Sequence, residues 1–155
     1  MMSLDNLKVG LAAIILAGCS SWTLDFSGSW NLNIARSDWG EARKPLRVVV
    51  EIEHREPAFK YSGTVFYPDG ELRSFGFDGL IDGKSYRAWR SFGEGKMSMR
   101  HSDERSLLSV FLSEDGRYRE ETTTTLTENG RILKRRIKVT GPGGETAWDE
   151  VYERQ

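Results

Sequence analysis

The sequence predicts an all-β domain, a single antiparallel up-and-down meander of about 8–10 strands closing into a barrel. Three observations predict it. Turn signals recur along the second half of the chain at Asp69-Gly70, Asp82-Gly83, Glu94-Gly95, Asp103-Glu104, Asp115-Gly116, Asn129-Gly130 and Pro142-Gly143, spaced 9 to 14 residues apart. Each interval fits one strand and one tight turn. The stretches between them alternate apolar and polar residues, and none shows a helical period. A meander this long removes its exposed edges by closing on itself.

The chain begins with a different kind of segment. Met1 to Lys8 is polar, and Val9 to Ala17 is almost wholly apolar. A run that short cannot cross ~30 Å of hydrocarbon as a helix, so it reads as the apolar core of a signal peptide. Leu16-Ala17-Gly18-Cys19 closes the run and holds the only cysteine of the chain. It resembles the lipobox of bacterial lipoproteins, in which the cysteine is lipidated and becomes the new N-terminus. That resemblance implies a signal peptide over 1–18, lipid attachment at Cys19, a short tether over 19–26 and a barrel domain over 27–155. It also implies a membrane partner through the anchor, and a place in the bacterial cell envelope. With Cys19 acylated, no thiol is left for a disulfide or for cysteine chemistry.

The barrel elements follow in order. Trp30, Leu32 and Ile34 alternate with Asn31 and Asn33. In the next strand Leu46, Val48, Val50 and Ile52 share one face, and Arg47, Glu51 and Glu53 the other. Thr122 to Thr125 is β-branched and suits a strand. The expected strands cover 27–34, 46–54, 58–67, 71–78, 84–91, 96–102, 105–113, 117–126, 131–140 and 145–153. Ala35 to Pro45 lacks alternation and is expected to be a loop across one end of the barrel, with Trp39 as its apolar anchor.

The last two hairpins can be registered by hand. An even turn at Pro142-Gly143 sets Val139 opposite Thr146, Ile137 opposite Trp148, Arg135 opposite Glu150 and Leu133 opposite Tyr152, all on one face. A two-residue turn at Asn129-Gly130 adds Thr124 opposite Arg135. The apolar face then carries one charged pair, Arg135–Glu150. It is either a polar cluster that orients a ligand or a structural ion pair whose heads satisfy each other. Trp30, Arg135, Glu150, Trp148 and Tyr152 are therefore the candidate interior or ligand-contacting residues. Phe59, Tyr61, Phe75, Phe77 and Trp89 are expected to add to the same aromatic interior.

Composition narrows the function. Charged residues make up 29% of the chain, yet the net charge is −1. This balance argues against a nucleic-acid partner, which needs a basic excess. His54 and His101 stand far apart in sequence with no ligand spacing, so no metal or other cofactor is expected. Met97 and Met99 read as core filler. No nucleophile, base and orienting group converge, so the sequence does not point to an enzyme.

Asp25-Phe26-Ser27-Gly28-Ser29-Trp30-Asn31-Leu32-Asn33, then Arg36-Ser37-Asp38-Trp39-Gly40, resembles the opening of a group of secreted bacterial proteins with a Gly-x-Trp first strand. The tail from Gly141 to Glu153 resembles the same group. Gly28-Ser29-Trp30 is also similar to the Gly-x-Trp that opens lipocalins. That resemblance implies a lipocalin-like barrel in which Trp30 plugs one end and an arginine from late in the chain, Arg135 or Arg154, packs over its ring. The chain lacks the Thr-Asp-Tyr of the lipocalin middle, and the resemblance names no substrate.

Two functions fit these observations. One is a lipid-anchored barrel holding a small apolar or amphipathic ligand. The other is a ligand-free structural or protein-interaction lipoprotein of the envelope, its protein partner unidentified. For the second, Leu107, Leu108, Val110, Phe111 and Leu112 supply apolar residues on both faces of one strand, and one face needs a cover.

Overall fold

Strands follow the turn signals. The computed structural model describes residues 24–155, so the signal segment 1–18, Cys19 and most of the 19–26 tether lie outside the described residues. Ten strands run in chain order: β1 Gly28–Leu32, β2 Arg47–Arg55, β3 Ala58–Phe66, β4 Leu72–Leu80, β5 Ser85–Arg90, β6 Gly93–Asp103, β7 Ser106–Ser113, β8 Arg119–Thr127, β9 Ile132–Gly141 and β10 Gly144–Arg154. Each pairs antiparallel with its sequence neighbour, and β1 closes the ring by pairing with both β2 and β10. The meander has become a closed, lipocalin-like barrel with no free edge.

The hand-derived register holds. Val139 faces Thr146, Ile137 faces Trp148, Arg135 faces Glu150 and Leu133 faces Tyr152. Thr124 lies opposite Arg135 on the other side. The inward side chains of both hairpins follow from this by the two-residue repeat of a strand.

One end of the barrel is filled. Trp30, Phe26, Phe77, Leu107, Leu126, Leu133 and Tyr152 are fully buried there and along the lower walls. Trp30 donates its indole Nε1–H to the Phe26 carbonyl at 3.0 Å. Arg154 lies over its ring with the guanidinium carbon 4.4 Å from the ring centroid. Of the two arginines that the resemblance offered, Arg154 takes this place; Arg135 lies over Phe75 instead. Gly28 has φ +131, and a Cβ there would stand 2.9 Å from Arg154 Nη1, so both backbone and space call for glycine at the start of β1.

The stretch between β1 and β2 crosses the other end. It makes a single 3₁₀ turn at Ile34–Arg36, then Asp38 bridges to Asp149 on β10. The Ser37 hydroxyl accepts from Val151 N at 3.0 Å, which ties the start of this strap to β10. Beyond it, Trp39 to Pro45 arches over the opening.

Two positions expected inside turn out otherwise. Leu46 shares a face with Val48 but precedes the ladder, and it stands 62% exposed at the rim. Trp89 pairs with Gly76, next to the inward pair Phe77–Ala88, so it lies on the outer face. There its indole covers Gly76, and Arg87 lies over the indole. On β7, Leu107 and Phe111 are buried inside, while Leu108 and Val110 are half-buried and Leu112 is 52% exposed on the outside. The described chain leaves about half of Leu112 uncovered.

Candidate functional site

The alternation that fills the lower barrel leaves space above. A cavity of about 440 Å³ opens at the upper end. Its walls include Val48, Val65, Phe75, Phe92, Ile137, Val139 and Trp148, and the strap supplies Trp39, Ala42 and Pro45. Trp39 thus anchors the strap from inside, as its position in an otherwise polar loop suggested. Its indole N–H is buried without a protein partner. A second void of about 30 Å³ lies beneath, between Phe59, Tyr61, Phe75, Leu107 and Leu133. Arg135 lines both and stands between them. Gly63 faces Phe75 across β3 and β4, and a Cβ on Gly63 would overlap the Phe75 ring, so the missing side chain lets that ring lie flat against the wall.

Two ion pairs cross this apolar space. Arg135 Nη1 donates to Glu150 Oε2 at 3.0 Å. The same carboxylate accepts from Tyr152 Oη at 2.8 Å and, through Oε1, from Trp148 Nε1 at 2.9 Å. Four of the five residues singled out from the sequence, Arg135, Glu150, Trp148 and Tyr152, therefore form one hydrogen-bonded group. Trp30 lies apart from it, in the closed floor. Burial opposes the charge of Arg135 most strongly, but Glu150, Tyr152, Tyr61 and Glu120 together outweigh it and hold the guanidinium above its ordinary range. Burial foremost, and then Glu150, push the Tyr152 hydroxyl well above its ordinary value.

The second pair was not foreseen. Arg90 Nε donates to both oxygens of Glu120 at 3.0 and 3.1 Å. Its Nη1 donates to the carbonyls of Gly76 at 3.3 Å and Trp89 at 3.0 Å. Gly76 and Trp89 form one of the only two residue pairs of the short β4–β5 ladder. Nη2 donates to Tyr61 Oη at 2.8 Å and Met97 Sδ at 3.2 Å. All five N–H groups of this guanidinium thus have acceptors. Glu120 Oε1 also accepts from Thr122 Oγ1 at 3.1 Å. The register held a signal for one member only: the sum that sets Thr124 opposite Arg135 also sets Glu120 opposite Val139, on the inward face.

Two further arginines stand at the rim. Arg43, on the strap, pairs with Asp69 and Glu71, and Arg73 pairs with Glu71 at 2.6 Å. Arg43 also lies over Tyr67, its guanidinium carbon 3.8 Å from the ring centroid. The strap is thereby fastened to the β3–β4 turn across the mouth.

The two histidines meet at the opposite end. His54 Nε2 is 3.0 Å and His101 Nε2 is 2.7 Å from Glu56 Oε1. Sequence separation hid this, because His101 reaches Glu56 only once the barrel closes. Among the described residues no group of three or more His, Cys, Asp or Glu is placed to hold a metal ion.

No protein-family model and no curated sequence matches the chain. Solved structures do match. The zebrafish ileal bile acid-binding protein, in a crystal structure with cholic acid, superposes with a TM-score of 0.58 at 16% identity, over 84% of this chain and 98% of its own. The Schistosoma mansoni fatty acid binding protein, in complex with arachidonic acid, superposes with a TM-score of 0.63 at 12% identity, over 86% of this chain and 98% of its own. The fold is that of the lipocalin and fatty-acid-binding-protein barrels. At such identities the likeness is one of architecture, and this barrel's site has to be read from its own residues.

Proposed function

We propose that this protein is a lipid-anchored barrel of the bacterial cell envelope that holds one small apolar or amphipathic molecule in its upper cavity. The cavity carries the reading. Its volume of about 440 Å³ falls within the range of roughly 300–1,000 Å³ of small-molecule sites, and it has a mouth. Its walls join apolar side chains to polar groups that converge on the buried Arg90–Glu120 and Arg135–Glu150 pairs, and such sites use polar groups to orient a ligand. The two barrels of the same fold described above were crystallised with cholic acid and arachidonic acid, both amphipathic. The anchor rests on Leu16-Ala17-Gly18-Cys19, and with the domain starting near residue 27 it holds the barrel close to the membrane. Acyl chains on Cys19 would each contribute about 0.8 kcal/mol per buried CH₂. Binding rather than catalysis is supported by the pairing of its buried ionised groups, Arg90 with Glu120 and Arg135 with Glu150.

Titration with an environment-sensitive apolar dye tests the reading. Saturable one-to-one binding, lost in an Ile137→Trp variant that fills the cavity, is the expected result. A dye signal unchanged in that variant would place binding outside the barrel and sink the proposal.

The alternative, a ligand-free interaction lipoprotein, draws on one observation. Leu108, Val110 and Leu112 form an apolar row on the outside of β7, and Leu112 is 52% exposed. Crosslinking from a photoreactive residue at position 112 in intact envelopes tests it, and a row that captures no protein would count against it.

A further inference from the structure

Charge is unevenly distributed around the outside of the barrel. On the β6–β9 wall the apolar row Leu108, Val110 and Leu112 is set among cations. The register puts Arg100 opposite Leu108 and Lys96 opposite Leu112 on the β6 side, and Arg119 opposite Leu112 on the β8 side. Lys134 and Lys138 share the same outer face on β9, opposite Thr125 and Glu121. Glu121 pairs with Arg119 at 2.7 Å and with Lys138 at 3.3 Å. Lys96, Arg100 and Lys134 pair with no carboxylate among the described residues.

Across the ring, on β2–β4, the order is reversed. There Glu53 and Asp78 flank Lys60, and Glu51 stands opposite Ser62. The chain as a whole has a net charge of −1, so the positive excess belongs to the β6–β9 wall alone.

Exposed leucine with unpaired lysine and arginine beside it suits the boundary of an anionic bilayer. The apolar side chain enters the headgroup layer, and the cations meet phosphates. The long stems of Lys96 and Arg100 lie against apolar surface while their heads stay in the polar layer. A nucleic acid would engage the cations and leave the leucines in water. A protein partner would have to bring carboxylates into register with each cation or bury it unpaired. A fluid headgroup layer makes no such demand.

We propose that the β6–β8 wall docks side-on to an anionic phospholipid surface, with Leu112 entering the headgroup layer and Lys96 and Arg100 meeting the phosphates. Each such cation raises partition onto the surface by about fivefold. Without acyl chains the contact is weak and reversible, and salt weakens it further. The inference uses neither the cavity nor Cys19, so it stands or falls apart from both.

Lipid capture from a photoreactive residue in place of Leu112 tests it, with one in place of Ser62 on the acidic wall as the control. The full chain is mixed with vesicles of phosphatidylcholine alone, or of phosphatidylcholine and phosphatidylglycerol in equal parts. On the anionic vesicles position 112 is expected to capture at least about tenfold more lipid than position 62, two cations' worth of partition or less. That excess should vanish on phosphatidylcholine alone. Lys96→Glu with Arg100→Glu, both exposed, should bring capture at position 112 down to the level of position 62. Equal capture at the two positions, or capture at position 112 that ignores the charge of the lipid, overturns the docking. So does capture of a protein in place of lipid from position 112 in intact envelopes.

Discussion

Arg154 seals the barrel by lying over Trp30, its guanidinium carbon 4.4 Å from the centroid of the indole ring. Its Nε donates to the Gly130 carbonyl at 2.8 Å, Nη2 to the Asp25 carbonyl at 2.9 Å, and Nη1 to the Ser27 carbonyl. One side chain from the last strand thus ties the chain start, the β8–β9 turn and the floor together. Trp30→Ala should cost about 3–5 kcal/mol, as for other large aromatic truncations in a core. Arg154→Met should cost roughly 1–3 kcal/mol, the sum of a cation–π contact and a few hydrogen bonds. Arg154→Lys should recover little of it, because an ammonium cannot fork to three carbonyls. Urea unfolding of the three variants checks this, and an Arg154→Met protein as stable as wild type would remove the seal from the account.

The Arg135–Glu150 pair makes a sharper prediction, because breaking a buried pair and replacing one are different experiments. Glu150→Leu leaves the Arg135 charge uncompensated and should destabilise by about 3–5 kcal/mol. Replacing both, as Arg135→Met with Glu150→Leu, should return most of that loss. Denaturant midpoints decide. A double variant no better than Glu150→Leu would mean that the pair supplies net stability rather than merely satisfying itself.

Tyr152 sets the alkaline limit. Burial and the adjacent Glu150 raise its hydroxyl well above the ordinary tyrosine value. A group whose folded pKa is raised contributes stability that is complete below the unfolded pKa and is lost as pH rises through the folded one. That contribution should therefore fade from about pH 10 upward. Tyr152→Phe, which cannot ionise, should lose stability more gently over that range than wild type does. Parallel slopes for the two proteins in pH-dependent unfolding would refute the assignment.

The anchor predicts a location. Cys19→Ala should move the protein from the membrane fraction to the soluble fraction once its signal is removed. Membrane retention of a processed Cys19→Ala protein would show that something other than acylation holds it there.

Legibility in the sequence followed the range of the interactions. The β8–β9 and β9–β10 registers were readable because a short turn fixes which residues oppose one another, so Arg135–Glu150 and Thr124–Arg135 came out of counting alone. The Arg90–Glu120 pair joins β5 to β8 across the lumen, and no turn counts that distance. The Glu56 meeting of His54 and His101 likewise depends on closure. Trp89 was misplaced because an aromatic side chain reads as interior, whereas here it covers Gly76 from outside. Leu46 obeyed the alternation but lies just beyond the ladder, where a face no longer implies burial. Arg154 was legible as one of two choices, and its position at the end of β10, opposite Trp30, decided between them.

The central claim is that the barrel carries a molecule in the cavity bounded by Trp39, Phe75, Ile137 and Trp148. Native mass spectrometry of the protein, purified gently from its own host, tests it most directly. The account predicts a non-covalent adduct of a few hundred daltons that is lost on denaturation in organic solvent, leaving only the polypeptide and its acyl chains. A native mass identical to the denatured one, in a protein that also fails to take up an added amphiphile, would contradict it.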